Sequence, residues 1–307
     1  MKFGVCLPHR WNYSSKKNIS RIAVRAEELG FDSLWVTDHI IVPETHLERG
    51  DTFFEALTTL SFVAGMTENI VLGTAVLGVS PREPILLAKQ IATIDALSEG
   101  RFILGVGTGW IEEELQTLNQ SWLERGSILD ESLQVAKILW QTEGPVSFSG
   151  KYTNFSDMLF NPKPHNKNGP PIWIGGMKTP SLKRAAKAGD GWFPWAVSPD
   201  EIREGVKKLE GFRREFGRRN PFSISCFMPT NLEPSGVRRY RGFFEEEHFV
   251  LSGGVAEVHR TLEDFSDAGL EHLALSFKDV RLFKEGTISE IEAQMEEFAK
   301  DVMPSHV

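Results

Sequence analysis

Short apolar runs alternate along this chain with longer stretches in which apolar positions recur every three or four residues. Phe3, Val5 and Leu7 alternate as a strand does, and Ile19, Ile22, Ala23, Ala26 and Leu29 then mark one face of a helix that Gly30 stops. Seven further strands read at Asp32–Thr37, Ile70–Val76, Arg101–Val106, Pro171–Gly175, Gly191–Pro194, Phe222–Met228 and Glu271–Ser276. Helices fall between and after them: Asp51–Met66, a helix opened by Pro84, then Ile128–Trp140, Leu182–Ala188, Ile202–Phe216, Val255–Phe265 and Ile288–Val302. Eight strands, each followed by a helix, predict an α/β chain folded as a (β/α)8 TIM barrel, with residues 1–307 as one domain. An open doubly wound sheet shares this alternation and stays open as an alternative.

Three helix-to-strand junctions echo one another, at Ala26–Leu34, Ala188–Trp192 and Ser266–Leu273. Each closes a helix with glycine and turns into a strand, as the non-catalytic end of a barrel requires. Two stretches break the rhythm. Gly144–Gly169 holds a hairpin signal, Val146–Phe148 with Tyr152–Phe155, and Pro229–Ser252 carries Arg238, Arg239 and Arg241 before Glu245–Glu247. Loops of this length are expected to be insertions that shape a substrate entrance at the C-terminal mouth.

The net charge of −8 argues against non-specific nucleic-acid binding. Cys6 and Cys226 lie in strand-like runs without a Cys-x-x-Cys or Cys/His cluster, which fits a reducing cytosol. Lys2 leads into a short strand rather than a signal peptide, and the longest apolar run, Ile70–Val79, is too short to span a bilayer. A soluble cytoplasmic protein with no membrane partner is expected.

Barrels build their chemistry just past the C-terminal ends of strands. That rule selects Pro8-His9, Asp38-His39, Ala75-Val76, Gly107–Trp110, Gly175–Lys178 and Trp192–Trp195. Histidine exchanges protons near neutral pH, so His39 is the first candidate, with Asp38 either orienting it or capping the next segment. Gly105-Val-Gly-Thr-Gly109 is not a dinucleotide fingerprint, because Trp110 stands where a third glycine is needed. It reads either as a tight turn or as a place where backbone approaches a flat ring. Gly175, Gly176, Met177 and Lys178 open a helix where freed N–H groups and a positive charge can hold a phosphate. No metal-binding spacing, nucleophile elbow or Walker sequence is present.

Together these segments resemble the luciferase-like superfamily. The likeness runs through Trp35–His39, Leu72–Leu77, Ser98–Phe102 with Gly105–Gly109, and Ile172–Gly176 with Gly189–Trp192. It is strongest to the branch that uses the deazaflavin coenzyme F420. The resemblance implies His39 as proton donor or acceptor beside the redox ring, with Asp38 next to it. It implies a non-prolyl cis peptide at Ala75-Val76 behind the ring, Gly107 and Thr108 against the cofactor, and Gly175–Lys178 on its phosphate. His9, Trp110, Glu113 and Trp195 are then expected to line the substrate pocket. Coenzyme F420 is the expected cofactor and FMN the alternative, the latter making the chain a monooxygenase; a non-catalytic flavin-binding protein is a third reading. A homodimer is implied as well. Trp110 replaces the acid that the branch's sugar-phosphate dehydrogenases carry after the glycine turn, and Pro43 replaces their aromatic. Both changes speak for an apolar or aromatic substrate instead.

Overall fold

The computed structural model describes residues 1–49, 52–233, 239–241, 247–278 and 286–306. Among them, eight parallel strands follow in order: β1 (Lys2–Cys6), β2 (Ser33–Val36), β3 (Val71–Thr74), β4 (Phe102–Gly107), β5 (Ile172–Ile174), β6 (Gly191–Trp192), β7 (Ser223–Asn231) and β8 (His272–Phe277). Each pairs with its successor, and β8 returns to β1 with Val5 opposite Leu275. The β6–β7 pairing, Ser223 opposite Gly191, closes the ring and removes the open-sheet alternative.

Helices α1 (Lys16–Glu28), α2 (Ala56–Ala64), α3 (Pro84–Leu97), α4 (Glu112–Thr117), α5 (Arg125–Gln141), α6 (Thr179–Ala188), α7 (Pro199–Glu215), α8 (Val255–Asp267) and α9 (Ile288–Asp301) connect the strands. Outward-facing Val5, Leu34, Leu72, Leu104 and Leu275 form one buried cluster with residues of these helices, such as Ile22, Leu60 and Phe298. Alternate residues point into the barrel, where Cys6, Trp35, Trp173, Phe193, Phe227 and Ala274 fill the interior. The Trp35 and Trp173 indoles stack at 5.4 Å between centroids. Trp35 fits only because its neighbours on β1 and β3 are glycines: a Cβ on Gly73 would stand 2.2 Å from the indole, and one on Gly4 2.4 Å from its Nε1.

Several elements depart from the sequence pattern for identifiable reasons. The strand expected over Ile70–Val76 ends at Thr74, ahead of the cis Ala75-Val76 peptide; pairing resumes at Leu77–Gly78, beside β4. The helix expected from Asp51, a residue outside those described, begins at Ala56. Before it, an antiparallel bridge between Phe53 and Arg10 lays the chain along the mouth. Helix α4 was not anticipated, since six residues are too few to establish a helical period. The first excursion holds the hairpin, Val146–Ser149 with Asn154–Met158. In the second, Arg239–Arg241 pairs with Glu247–Phe249, while Arg238, Glu245 and Glu246 lie outside the described residues. Among the described residues, no helix is long and apolar enough to cross a membrane.

Candidate functional site

The C-terminal ends of β2, β3, β4 and β5 carry Asp38-His39, Ala75-Val76, Gly107-Thr108 and Gly175–Lys178 along one ledge at the barrel mouth. Val76 is its middle. A Cβ on Gly107 would stand 2.9 Å from the Val76 side chain and one on Gly175 3.1 Å from it, so glycine on both following strands lets the cis segment lie flat. Next along the ledge, Gly176 adopts φ +97°, a conformation that favours glycine, at the entry to α6. Lys178 caps that helix without a side-chain hydrogen bond, and it is exposed. Helix N–H groups beside an exposed lysine suit an anionic group. Thr108 sits behind the ledge, its carbonyl accepting from Ser80 Oγ at 3.1 Å.

His39 stands at the other end, its side chain 10% exposed. The rings of Phe53 and Trp110 pack T-shaped with its ring at 5.0 and 5.8 Å between centroids, and His46 packs likewise with Trp110 at 5.6 Å. Its Nδ1 lies 2.9 Å from Glu114 Oε2. The other carboxylate oxygen accepts the backbone N–H groups of Ile40 and Ile41 at 2.8 and 3.3 Å. Burial pushes the Glu114 carboxyl up. The His39 ring beside it and the two backbone donors outweigh burial and hold it below the usual carboxylate range.

Asp38 does not orient His39. Its carboxylate takes both arms of Arg82 at 2.7 and 2.9 Å, and its Oδ2 also accepts from Gly78 N at 2.9 Å. Arg82 reaches on to Glu55 at 3.1 Å. Asp38 therefore clamps the His39 loop to the segment just past the cis peptide. The expectation that His9 lines the pocket is corrected as well. His9 is fully buried: Nδ1 donates to Leu7 O at 2.8 Å, and Nε2 accepts from Thr37 N at 3.0 Å. Burial, then the charge of Arg10, push its pKa down to about 3, so it is a neutral strut inside the wall. Glu113 is exposed on α4, and Glu114 takes the inward position. Trp195 is half-buried at the mouth, its ring 4.4 Å from that of His248.

The sequence signal for Glu114 was present but faint. Ile111, Glu114 and Leu115 share one helical face and are all buried, so the apolar neighbours single out one of three consecutive glutamates. Phe53, Arg82 and Glu55 left no local signal. At the opposite end of the barrel, a cavity of about 1370 Å³ is bordered by Lys2, Asp32, Trp173, Arg218 and His272. It lies away from His39, and strand-start positions are not where barrels build chemistry. Among the described residues, no group of three metal-ligating side chains could hold an ion.

The chain is 36% identical over 181 residues to an F420-dependent glucose-6-phosphate dehydrogenase of Amycolatopsis mediterranei (strain U-32), a match covering 58% of this chain and 53% of that protein. The chain thus spans about half the length of this curated relative. It is 30% identical over 234 residues to an uncharacterised protein of Mycobacterium tuberculosis (strain ATCC 25618 / H37Rv), covering 71% and 80%. Its fold matches an F420-dependent secondary alcohol dehydrogenase in complex with an F420-acetone adduct, with a TM-score of 0.80, 19% identity and 98% coverage of each chain. A type II Baeyer-Villiger monooxygenase from Pseudomonas putida in complex with FMN shares the fold at a TM-score of 0.78 and 16% identity, over 100% and 99% of the chains. The luciferase-like monooxygenase model matches residues 1–272, and the chain belongs to that family.

Proposed function

We propose that this chain is a coenzyme F420-dependent oxidoreductase that moves a hydride to or from a small neutral substrate carrying an apolar or aromatic group. The observation that carries the reading is that Val76 lies against Gly107 and Gly175, next to Gly176 and the N-terminus of α6, while Asp38 ties the adjoining His39 loop to Gly78 just past the cis peptide. The 36% identity to the F420-dependent dehydrogenase supports the choice of cofactor.

The residues present fit a deazaflavin. Ala75, Val76, Gly107 and Thr108 would back its ring, and Gly175, Gly176, Met177 and Lys178 would hold its phosphate. Once bound, the cofactor supplies the hydride acceptor or donor. The chain's part is to orient the substrate against the ring, to exclude water with Phe53 and Trp110, and to take or give a proton at the His39 imidazole. Asp38, through Arg82, holds that loop in place. Trp110 and Trp195 are half-buried indoles, which suit an apolar or aromatic substrate better than a sugar phosphate.

Titration with coenzyme F420 and with FMN, followed by fluorescence quenching and calorimetry, tests the reading. Tight F420 binding with weak FMN binding is expected, and His39→Ala is expected to bind F420 while losing about 100-fold or more in turnover. Preference for FMN with oxygen consumption would move the assignment to a monooxygenase. Binding of neither would end the redox reading.

A further inference from the structure

Two backbone N–H groups and one imidazole nitrogen converge on one buried carboxylate. Glu114 Oε1 serves the backbone of Ile40 and Ile41, and Oε2 faces His39 Nδ1, with both side chains about nine-tenths buried. The two backbone groups can only donate. The imidazole can donate or accept, depending on which nitrogen carries its proton. A carboxylate only accepts, so it selects one form of the ring.

We propose that Glu114 is a positioning residue that fixes the neutral His39 ring with its proton on Nδ1, leaving Nε2 as the nitrogen that accepts a proton at the mouth. The inference rests on His39 being the proton-handling group of the proposed function, and it adds which nitrogen works and what sets it. The surroundings support it. Nδ1 is the ring nitrogen held by a side chain, and among the described residues Nε2 has no hydrogen-bond partner. The rings of Phe53 and Trp110, both T-shaped with it, resist its rotation. The charge on Glu114 is itself supported by the two backbone donors at Oε1, so the group stays an acceptor at neutral pH.

The isosteric Glu114→Gln variant makes a sharp test. Its amide oxygen can satisfy Ile40 and Ile41, which cannot change roles, and this turns its NH2 group toward His39. Nδ1 must then accept, so the proton moves to Nε2 and the tautomer inverts. Two-bond ¹H–¹⁵N spectra of ¹⁵N-histidine-labelled protein at alkaline pH read this directly, with His39→Gln identifying the His39 signals. The expected wild-type result is a pyrrole-type Nδ1 and a pyridine-type Nε2, and the reverse in Glu114→Gln. A wild-type ring protonated on Nε2, or the same tautomer in both proteins, overturns the proposal. Should Glu114→Gln fail to fold, the wild-type spectrum alone still decides, and Glu114→Ala is expected to drift to the Nε2–H form that free imidazole side chains favour. F420 quenching is expected to be unchanged in Glu114→Gln. Loss of F420 binding already in the wild type would strike the proposed function and leave the tautomer result standing on its own.

Discussion

Replacing Arg82 by methionine separates the two carboxylates that it holds. Glu55 is 40% exposed and can be rehydrated where it stands, so losing its partner costs little. Asp38 is 3% exposed and cannot. After the substitution it keeps Gly78 N but loses both guanidinium bonds and the neutralising charge, leaving a buried anion largely uncompensated. Breaking a buried pair in this way costs roughly 3–5 kcal/mol. At roughly 2 °C per kcal/mol for a chain of this size, the melting temperature is expected to fall by about 6–10 °C. Urea unfolding of wild type, Arg82→Met, Asp38→Asn and the double variant gives the assay. The double variant should regain part of the loss, because the uncompensated charge is gone. A fall below about 1 kcal/mol for Arg82→Met would place the pair with ordinary surface bridges, and no recovery in the double variant would mean that packing, not charge, holds the His39 loop.

Other consequences can be measured independently. His9 and His272 are both held neutral, mainly by burial, with pKa values near 3 against an ordinary 6.5. As pH falls below the ordinary value the unfolded chain takes up these protons and the folded one does not, so each histidine removes ~1.4 kcal/mol of stability per pH unit. His272→Gln should roughly halve that contribution between pH 6 and pH 4 in urea midpoints; an unchanged slope would refute the assignment. Glu114 has its carboxyl lowered, so its contribution is present above the ordinary carboxylate range and is lost as pH drops through it. The difference in stability between wild type and Glu114→Gln should therefore shrink on acidification below about pH 4.5. Gly176→Ala forces a side chain onto φ +97° and a Cβ to 2.8 Å from Ser181 Oγ, and is expected to weaken F420 binding by tenfold or so while leaving the barrel folded. Unchanged quenching would remove this turn from the phosphate site.

Where the chain repeats a simple period, the fold was legible. Strand alternation and helix-stopping glycines marked the barrel strands, and the rule that barrels work at strand ends pointed to His39, Val76 and Gly175. What escaped depends on contacts between loops far apart in sequence. Glu114 meets His39 across 75 residues, and Arg82 meets Asp38 across 44. Neither pairing leaves a local pattern, and the adjacency of Asp38 and His39 suggested a partnership that the backbone does not make. Phe53 was hidden for a different reason. Its neighbours continue the helical apolar pattern, while the bridge to Arg10 pulls it out of the helix.

Trp35 and its two glycine neighbours bear on how this barrel can be altered in the laboratory or over generations. Because a methyl on Gly4 or Gly73 collides with the indole, neither glycine can be exchanged while Trp35 remains, and a smaller residue at 35 leaves a void that both glycines line. Gly73 and Trp35 change together or not at all, and Gly4 needs room from Ser33 as well, whose Oγ would stand 2.2 Å from its Cβ. Random libraries that sample them one at a time will record three intolerant sites and overlook the permissive combinations. Diversity is better placed on the loops around Trp110 and Trp195, where substrate preference can vary without disturbing the interlocked layer beneath.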